Sequence, residues 1–260
     1  MFNIDEKYIR YDKPLSKTER AVTYQYDKTY IIKCFPLETD LKAELFKEEF
    51  AKWSSIDNPN ILKVKAQFVV NLKGGQPHYC YVMDKMDYSF EDIIKENQEA
   101  KKIPTREELL LAWKHFLSAF CFLQKINLPY KNIKPSNVFI DEKGKVRFSD
   151  IGNPYLEEDI KSGNINIAPE LRGIGELVTS SQLLKADIWR VGMLFIELGT
   201  SNFIENIKDI PESIEEMKKN YGEEVAGFIS EFVTKETLLR PDGKEALSRL
   251  KEIMRKLFIK

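Results

Sequence analysis

Strand-like patterns come first in this chain and helical patterns follow, and this order limits the fold more than any other feature. Runs rich in aromatic and β-branched residues predict strands at 21–26, 29–35, 61–70 and 78–83. One helix lies among them, because apolar residues recur at helical spacing between Leu37 and Ile56. These apolar residues are Leu41, Leu45, Phe46, Phe50 and Trp53.

From residue 89 onward the helical period dominates. Helices are predicted at 89–97, 105–126, 183–198, 211–220, 223–234 and 242–257. The second of these begins with a capping box, because Glu108 follows Thr105 by three residues. Two short strands are predicted at 138–140 and 146–148, and the stretch 152–168 is predicted to be irregular.

Strands followed by helices indicate an α+β fold with two lobes. The predicted boundaries are an N-lobe of about 1–84, a hinge at about 84–88 and a C-lobe of about 89–260, all within one domain, 1–260. A chain of 260 residues is long enough to bury a full core in this arrangement. A cleft between the lobes is the expected place for a ligand.

The charge balance excludes one class of partner. The chain has 40 basic residues and 41 acidic residues, whereas nucleic-acid-binding domains carry a clear basic excess. The N-terminus lacks the basic-then-apolar layout of a signal peptide, and no apolar run is long enough to cross a bilayer. These features predict a soluble protein, cytoplasmic or otherwise intracellular, with no membrane span and no nucleic-acid partner.

The three cysteines, Cys34, Cys80 and Cys121, are far apart and form no C-x-x-C pair. Each lies in an apolar run. Such cysteines are expected to be core thiols, and the sequence predicts neither a disulfide framework nor a zinc site.

The most informative short motif is the octet 130–137, Tyr-Lys-Asn-Ile-Lys-Pro-Ser-Asn, in which Asn132 and Asn137 are five positions apart. Other short motifs precede and follow it in the chain. They are Lys33 in Tyr-Ile-Ile-Lys, Glu49, Asp150-Ile151-Gly152, Ala168-Pro169-Glu170, Asp187-Ile188-Trp189 and Arg240-Pro241.

Taken in this order, the motifs resemble those of protein kinase domains over about 8–257. The resemblance implies a bilobal protein-kinase-like fold, with a small antiparallel sheet and one long helix in the N-lobe and a mainly helical C-lobe. Lys134 is similar to the catalytic-loop lysine of Ser/Thr-type kinases. The resemblance also implies that Asp187 braces the catalytic loop and that Arg240 pairs with Glu170.

The same resemblance implies a site for ATP and Mg²⁺ if nucleotide binding is retained, and no cofactor otherwise. Asn137 and Asp150 match the metal-binding residues, and Asn132 and Lys134 lie in the catalytic loop. Lys33 matches the phosphate-binding lysine and Glu49 its ionic partner. The remaining nucleotide-binding positions are Val22, Ile31, Met83, Asp84, Met86 and Phe139.

Three departures from the family pattern put catalysis in doubt. Asn132 occupies the position of the catalytic Asp, and a neutral amide cannot take up a proton near pH 7. No glycine occurs between Met1 and Leu72, so the Gly-rich phosphate loop is missing. Ile31 and Phe139 are bulky and are expected to fill the adenine pocket. The alternative is ordinary strand packing with a slightly shifted nucleotide.

The resulting hypothesis is a pseudokinase that acts as a scaffold or an allosteric partner. Its expected partners are proteins, such as an active kinase or another signalling protein. Two alternatives stay open: a divergent, weakly active Ser/Thr protein kinase, because the metal-binding residues are present, and an ATP-binding sensor without turnover.

Overall fold

A computed structural model describes residues 9, 11–72, 75–141, 144–174 and 178–258. The chain divides into two compact units, Met1–Met86 and Asp87–Lys260. The first unit is built around an antiparallel sheet and the second is mostly helical. The predicted α+β, bilobal architecture is therefore confirmed.

The first unit contains a five-stranded antiparallel sheet and one helix. Its elements are β1 (Ser16–Lys17), β2 (Val22–Gln25), β3 (Tyr30–Pro36), α1 (Asp40–Ser54), β4 (Ala66–Asn71) and β5 (Pro77–Asp84). The strand order is β1-β2-β3-β5-β4. The strand predicted at 61–70 begins only at Ala66, and Leu62 instead accepts a hydrogen bond from the Trp53 indole at 2.8 Å.

Helix α1 is capped by Thr39, whose side chain accepts from the backbone of Lys42. Its buried residues are Lys42, Phe46, Phe50 and Trp53. They follow the spacing of one helical stripe, and the aromatic members pack against Phe35 and Tyr81. Leu41 and Leu45 lie one position to the side of this stripe and are exposed, so the apolar pattern is wider than the buried face.

The prediction of separate core thiols is wrong for two of the three cysteines. Cys34 on β3 and Cys80 on β5 are opposite each other in the strand register and form a disulfide. Both are fully buried. The two residues are 46 positions apart in sequence, and only the strand pairing brings them together. Cys121 is free and half-buried.

The second unit contains a small three-stranded sheet and the remaining helices. Its elements are β6 (Tyr88–Ser89), α2 (Phe90–Ala100), α3 (Arg106–Lys125), β7 (Val138–Ile140), β8 (Val146–Phe148), α4 (Leu156–Ser162), α5 (Ser180–Thr200), α6 (Ile210–Tyr221), α7 (Glu223–Ser230) and α8 (Gly243–Phe258). The strands are ordered β6-β7-β8. The capping box of Thr105 and Glu108 is present at the start of α3, as predicted.

Helix α4 lies in a stretch that was predicted to be irregular. It carries three acidic residues in its first turn and ends at Gly163, which has φ +66°. Both are ordinary signals of a helix beginning and end. The helix is only 7 residues long, too short for an apolar period to stand out.

Helix α5 forms the centre of the second unit, and most of its residues are buried. Trp113 of α3 stacks on Phe195 of α5 with ring centroids 4.7 Å apart. At Gly192 the helix backbone approaches the chain so closely that a Cβ atom would lie 2.6 Å from the Cβ of Phe232. In the described part of the chain no helix is both long and apolar enough to cross a membrane.

Candidate functional site

The octet 130–137 is fixed in place by a buried carboxylate. Asp187 near the start of α5 accepts hydrogen bonds from the backbone N–H groups of Tyr130, at 2.5 Å, and Lys131, at 2.8 Å. Burial raises the pKa of the Asp187 carboxyl to about 7, against the opposing effect of these two hydrogen bonds. Asp187 therefore braces the loop, as predicted.

Tyr130 adds a second set of contacts. Its hydroxyl donates to the carbonyl oxygens of Ser149, at 2.7 Å, and Asn137, at 3.2 Å. Its ring stacks on Phe148, with centroids 5.2 Å apart. Its own carbonyl accepts from the backbone of Gly152 at 2.9 Å. This one fully buried side chain joins the octet to the 148–152 segment.

The side chains of the two asparagines of the octet both donate to backbone carbonyl oxygens. The Asn132 side-chain nitrogen donates to the carbonyl oxygen of Asp150 at 3.4 Å, and the Asn137 side-chain nitrogen donates to the carbonyl oxygen of Asn132 at 2.9 Å. Because a carbonyl oxygen accepts and cannot donate, this contact favours the orientation of the Asn132 amide with its nitrogen toward Asp150. A donor thus occupies the position where the family places a base.

Asp150 is held in an unusual conformation. It is buried and has φ +53°, in the left-handed region, and Gly152 follows with φ +109°. The Ser149 hydroxyl donates to the Asp150 carboxylate at 2.5 Å. Left-handed backbone at a non-glycine residue costs free energy and concentrates at functional positions. The carboxylate is thereby held in one orientation beside the octet.

One buried oxygen of the octet lacks a hydrogen bond. The side-chain oxygen of Asn137 is inaccessible to solvent and has no partner among the described residues, whereas the nitrogen of the same amide donates to the Asn132 carbonyl oxygen. A buried acceptor without a donor is uncommon. Mg²⁺ prefers oxygen ligands such as amide and carboxylate oxygens. Asn137 and Asp150 therefore fit a magnesium ion.

The other predicted nucleotide residues lie mainly in the first unit. Lys33 on β3 is half-buried, with its ammonium 5.6 Å from the centre of the Phe35 ring, and Glu49 on α1 contacts Lys52 at 3.9 Å. Pairing of Lys33 with Glu49 stays a prediction. Ile31 is opposite Met83 in the register of β3 and β5, and both are buried.

The structure places each of the remaining predicted residues within its own unit. Val22 begins β2 and is half-buried. Asp84 ends β5 and pairs with Lys65 at 3.1 Å, and Met86 is the last residue of the first unit. In the second unit, Phe139 is opposite Ser89 and Arg147 in the strands, and Lys134 accepts through its carbonyl oxygen from the backbone of Asn137. An approach of Ile31 to Phe139 stays a prediction.

The turn between β1 and β2 stands where the family places its phosphate loop. The Thr18 hydroxyl accepts from the backbone N–H groups of Arg20, at 3.3 Å, and Ala21, at 3.1 Å. The Thr18 N–H donates to the Ala21 carbonyl at 2.9 Å. Phosphate cradles are made of free backbone N–H groups. Because this turn uses three of its own, it does not fit a triphosphate.

Two buried arginines of the second unit make further contacts. Arg240, whose side chain is inaccessible to solvent, forms two hydrogen bonds to Glu170, at 2.6 and 2.9 Å, as the sequence predicted. Arg190 of α5 donates to the carbonyl oxygen of Ile133, inside the octet, at 2.9 Å. Sequence reasoning missed Arg190, since an arginine within an apolar helix gives no sign of its partner.

A family model described as the protein kinase domain matches residues 15–259. This chain belongs to the protein kinase family. The match extends over the sheet of the first unit and the helices of the second. Kinases of this family use ATP and Mg²⁺.

Similar curated proteins are serine/threonine-protein kinases. A probable serine/threonine-protein kinase MRK1 homolog of Encephalitozoon cuniculi is 28% identical over 151 residues, 55% of this chain and 44% of that protein. The mitochondrial serine/threonine-protein kinase ppk24 of Schizosaccharomyces pombe is 28% identical over 172 residues, 61% of this chain and 36% of that protein. Serine/threonine-protein kinase pakH of Dictyostelium discoideum is 24% identical over 181 residues, 69% and 34% respectively. The kinase domain thus matches less than half the length of each relative.

Proposed function

We propose that this kinase domain is a pseudokinase that works as a scaffold or an allosteric partner of another protein. The observation that carries the proposal is the orientation of Asn132, whose side-chain nitrogen donates to the Asp150 carbonyl oxygen. A kinase needs an acceptor at this position to take the proton of the substrate hydroxyl. A neutral amide whose NH₂ group faces the site cannot take that proton.

The turn at Thr18 supports the same conclusion from the first unit. Its N–H groups at Arg20 and Ala21 bind the threonine hydroxyl. A triphosphate would have to displace these internal hydrogen bonds before it could use the same donors. The phosphate-binding and proton-accepting parts of the mechanism are thus both impaired. The fold can still bind a protein partner, such as an active kinase or another signalling protein.

A second candidate function is supported by one specific observation. The side-chain oxygen of Asn137 is buried without a donor, and Asp150 presents a carboxylate from the neighbouring segment. A magnesium ion would satisfy that oxygen. We therefore keep an Mg²⁺-nucleotide sensor without turnover as the alternative. A weakly active Ser/Thr kinase is the remaining alternative, because loss of the base at position 132 would slow a largely dissociative transfer without forbidding it.

The test of catalysis uses Asn132→Asp and the control Asn206→Asp. Asn206 is exposed and lies far along the chain from the octet. Transfer of labelled phosphate from ATP to a generic protein substrate is measured for both variants and the unchanged chain. We expect none for the unchanged chain and for Asn206→Asp. Transfer by the unchanged chain, whether or not Asn132→Asp raises its rate, would refute the pseudokinase proposal.

The test of nucleotide binding measures thermal stability with ATP, with and without Mg²⁺. A ligand that binds only the folded state raises the melting temperature. A rise that requires Mg²⁺ and disappears in Asp150→Asn supports the sensor. The control is Asp57→Asn, because the Asp57 side chain is 95% exposed in a loop. No rise at millimolar ATP supports the scaffold without nucleotide.

A further inference from the structure

A cavity of about 590 Å³ lies inside the second unit, where three helices meet. Its lining comes from the end of α3, the first turns of α5 and the beginning of α8. The octet and Asp150 are not among the lining residues, so the cavity is separate from the candidate site. Its volume is typical of small-molecule binding sites. We call it the junction cavity.

The helices around the junction cavity are fixed to one another. The Gly243 N–H donates to the side-chain oxygen of Gln124 at 2.6 Å, and a Cβ atom at Gly243 would lie 2.7 Å from that oxygen. On the other flank, the Lys185 ammonium donates to the Arg240 carbonyl and the Arg240 guanidinium donates to the Lys185 carbonyl, both at 3.1 Å. The cavity is therefore bounded by elements that are tied together, and it is preformed.

The inner part of the lining is apolar. It consists of Leu184 and Ile188 of α5 and the thiol of Cys121 of α3. Burial, with a smaller contribution from the charge of Asp242, raises the pKa of the Cys121 thiol to about 11. The thiol is therefore neutral near pH 7 and counts as apolar surface. A hydrocarbon body would replace water on these three side chains.

The outer part of the lining is basic. Lys125 and Lys244 are exposed, and neither forms an ion pair with any residue that the structure describes. With Lys185 they make three positive charges, against one negative charge from Asp242. One oxygen of Asp242 already accepts from the backbone of Glu245 at 2.8 Å. An anionic group at this rim would therefore meet a net positive field.

We propose that the junction cavity binds a small amphipathic anion, with its apolar body against Leu184 and Ile188 and its carboxylate or phosphate group near Lys125 and Lys244. This goes beyond the proposed function, since the cavity shares no residue with the octet. The binding does not depend on ATP. It would give the pseudokinase a ligand site of its own in the helical unit.

Octanoate and octyl phosphate are suitable probes, because each combines an eight-carbon chain with one anionic group. Cys121 gives a specific readout, since the other two cysteines are joined in a disulfide. Either probe is expected to slow alkylation of Cys121 in the folded chain at least fivefold and to give a saturable isotherm in calorimetry. The difference between the two probes shows which anionic group is preferred. Octanol and inorganic phosphate are expected to protect at least tenfold less well at equal concentration.

The variant pair Lys125→Glu with Lys244→Glu reverses the rim charge at two exposed positions. It is expected to weaken octanoate binding at least tenfold. The matched control reverses Lys102 and Lys235, which are exposed and do not line the cavity, with the same change in net charge. The control is expected to bind octanoate as the unchanged chain does.

Three results would overturn the proposal. They are failure of both octanoate and octyl phosphate to protect Cys121, equal loss of octanoate binding in the control pair, and protection by inorganic phosphate equal to that by octyl phosphate. The last result would mean that the apolar lining contributes nothing. Circular dichroism of each variant excludes unfolding as the cause of lost binding.

Discussion

Replacement of Tyr130 by Phe tests whether the tyrosine hydroxyl holds the octet to the 148–152 segment. The change removes one oxygen and keeps the ring that stacks on Phe148. The Asn137 carbonyl keeps a donor, because the backbone N–H of Ser149 also binds it at 3.0 Å. The Ser149 carbonyl loses the donor that lies 2.7 Å away. The substitution therefore leaves one buried acceptor, the Ser149 carbonyl oxygen, without this donor.

Loss of a partner for one buried polar group costs about 1–3 kcal/mol. We expect Tyr130→Phe to lower the free energy of unfolding by about 2 kcal/mol. For a domain of this size that corresponds to a fall in melting temperature of roughly 4–8 °C. Urea titration and differential scanning calorimetry measure the two quantities.

The control is Tyr88→Phe, because Tyr88 is 48% exposed. We expect this variant to stay within about 0.5 kcal/mol of the unchanged chain. Amide hydrogen exchange at Ser149 gives a local readout and is expected to accelerate in Tyr130→Phe alone. If Tyr130→Phe loses less than about 0.5 kcal/mol, the hydroxyl does not carry the connection and the reasoning is wrong.

Three further perturbations follow from the packing, the disulfide and the buried carboxylate. Gly192→Ala is expected to lower the free energy of unfolding by about 1–3 kcal/mol, because its Cβ would overlap Phe232. Gly227→Ala, in open space on α7, is expected to raise it by about 0.5–1 kcal/mol. Urea titration measures both variants, and equal effects would contradict the close packing at Gly192. Reduction of the Cys34–Cys80 disulfide, which joins residues 46 positions apart, is expected to destabilise the folded chain by up to about 4 kcal/mol, as measured by unfolding with and without a reductant. Three free cysteines counted before reduction would show that the disulfide is absent. The folded-state pKa of Asp187 is raised from 3.8 to about 7, so its contribution to stability is full below pH 4 and is lost as the pH rises through 7. Relative to Asp187→Asn, the unchanged chain should therefore lose up to roughly 1 kcal/mol of stability per pH unit between pH 5 and 7. Parallel pH dependences in the two proteins would contradict this.

Most of the fold could be predicted because its signals are local. The capping box at Thr105 and the apolar period of α3 and α5 depend on residues three or four positions apart. Predicted strands 138–140 and 146–148 match β7 and β8 in their bounds. Helix α4 was missed because 7 residues make only two turns.

What could not be predicted depends on residues that meet only after folding. The Cys34–Cys80 disulfide requires the register of β3 against β5, which sequence spacing does not reveal. The contact of Arg190 with Ile133 joins residues 57 positions apart. The sequence shows Thr18 only as a residue of a turn, and it does not reveal that the Thr18 hydroxyl accepts from the N–H groups of Arg20 and Ala21.

The contacts that hold the octet explain how this loop can keep its conformation with an asparagine at position 132. Asp187 binds backbone N–H groups, at Tyr130 and Lys131, and Arg190 binds a backbone carbonyl, at Ile133. Backbone groups are the same whatever side chains the loop carries. The loop backbone is therefore supported independently of the side chain at position 132, whose own contact is the hydrogen bond from Asn132 to the Asp150 carbonyl oxygen.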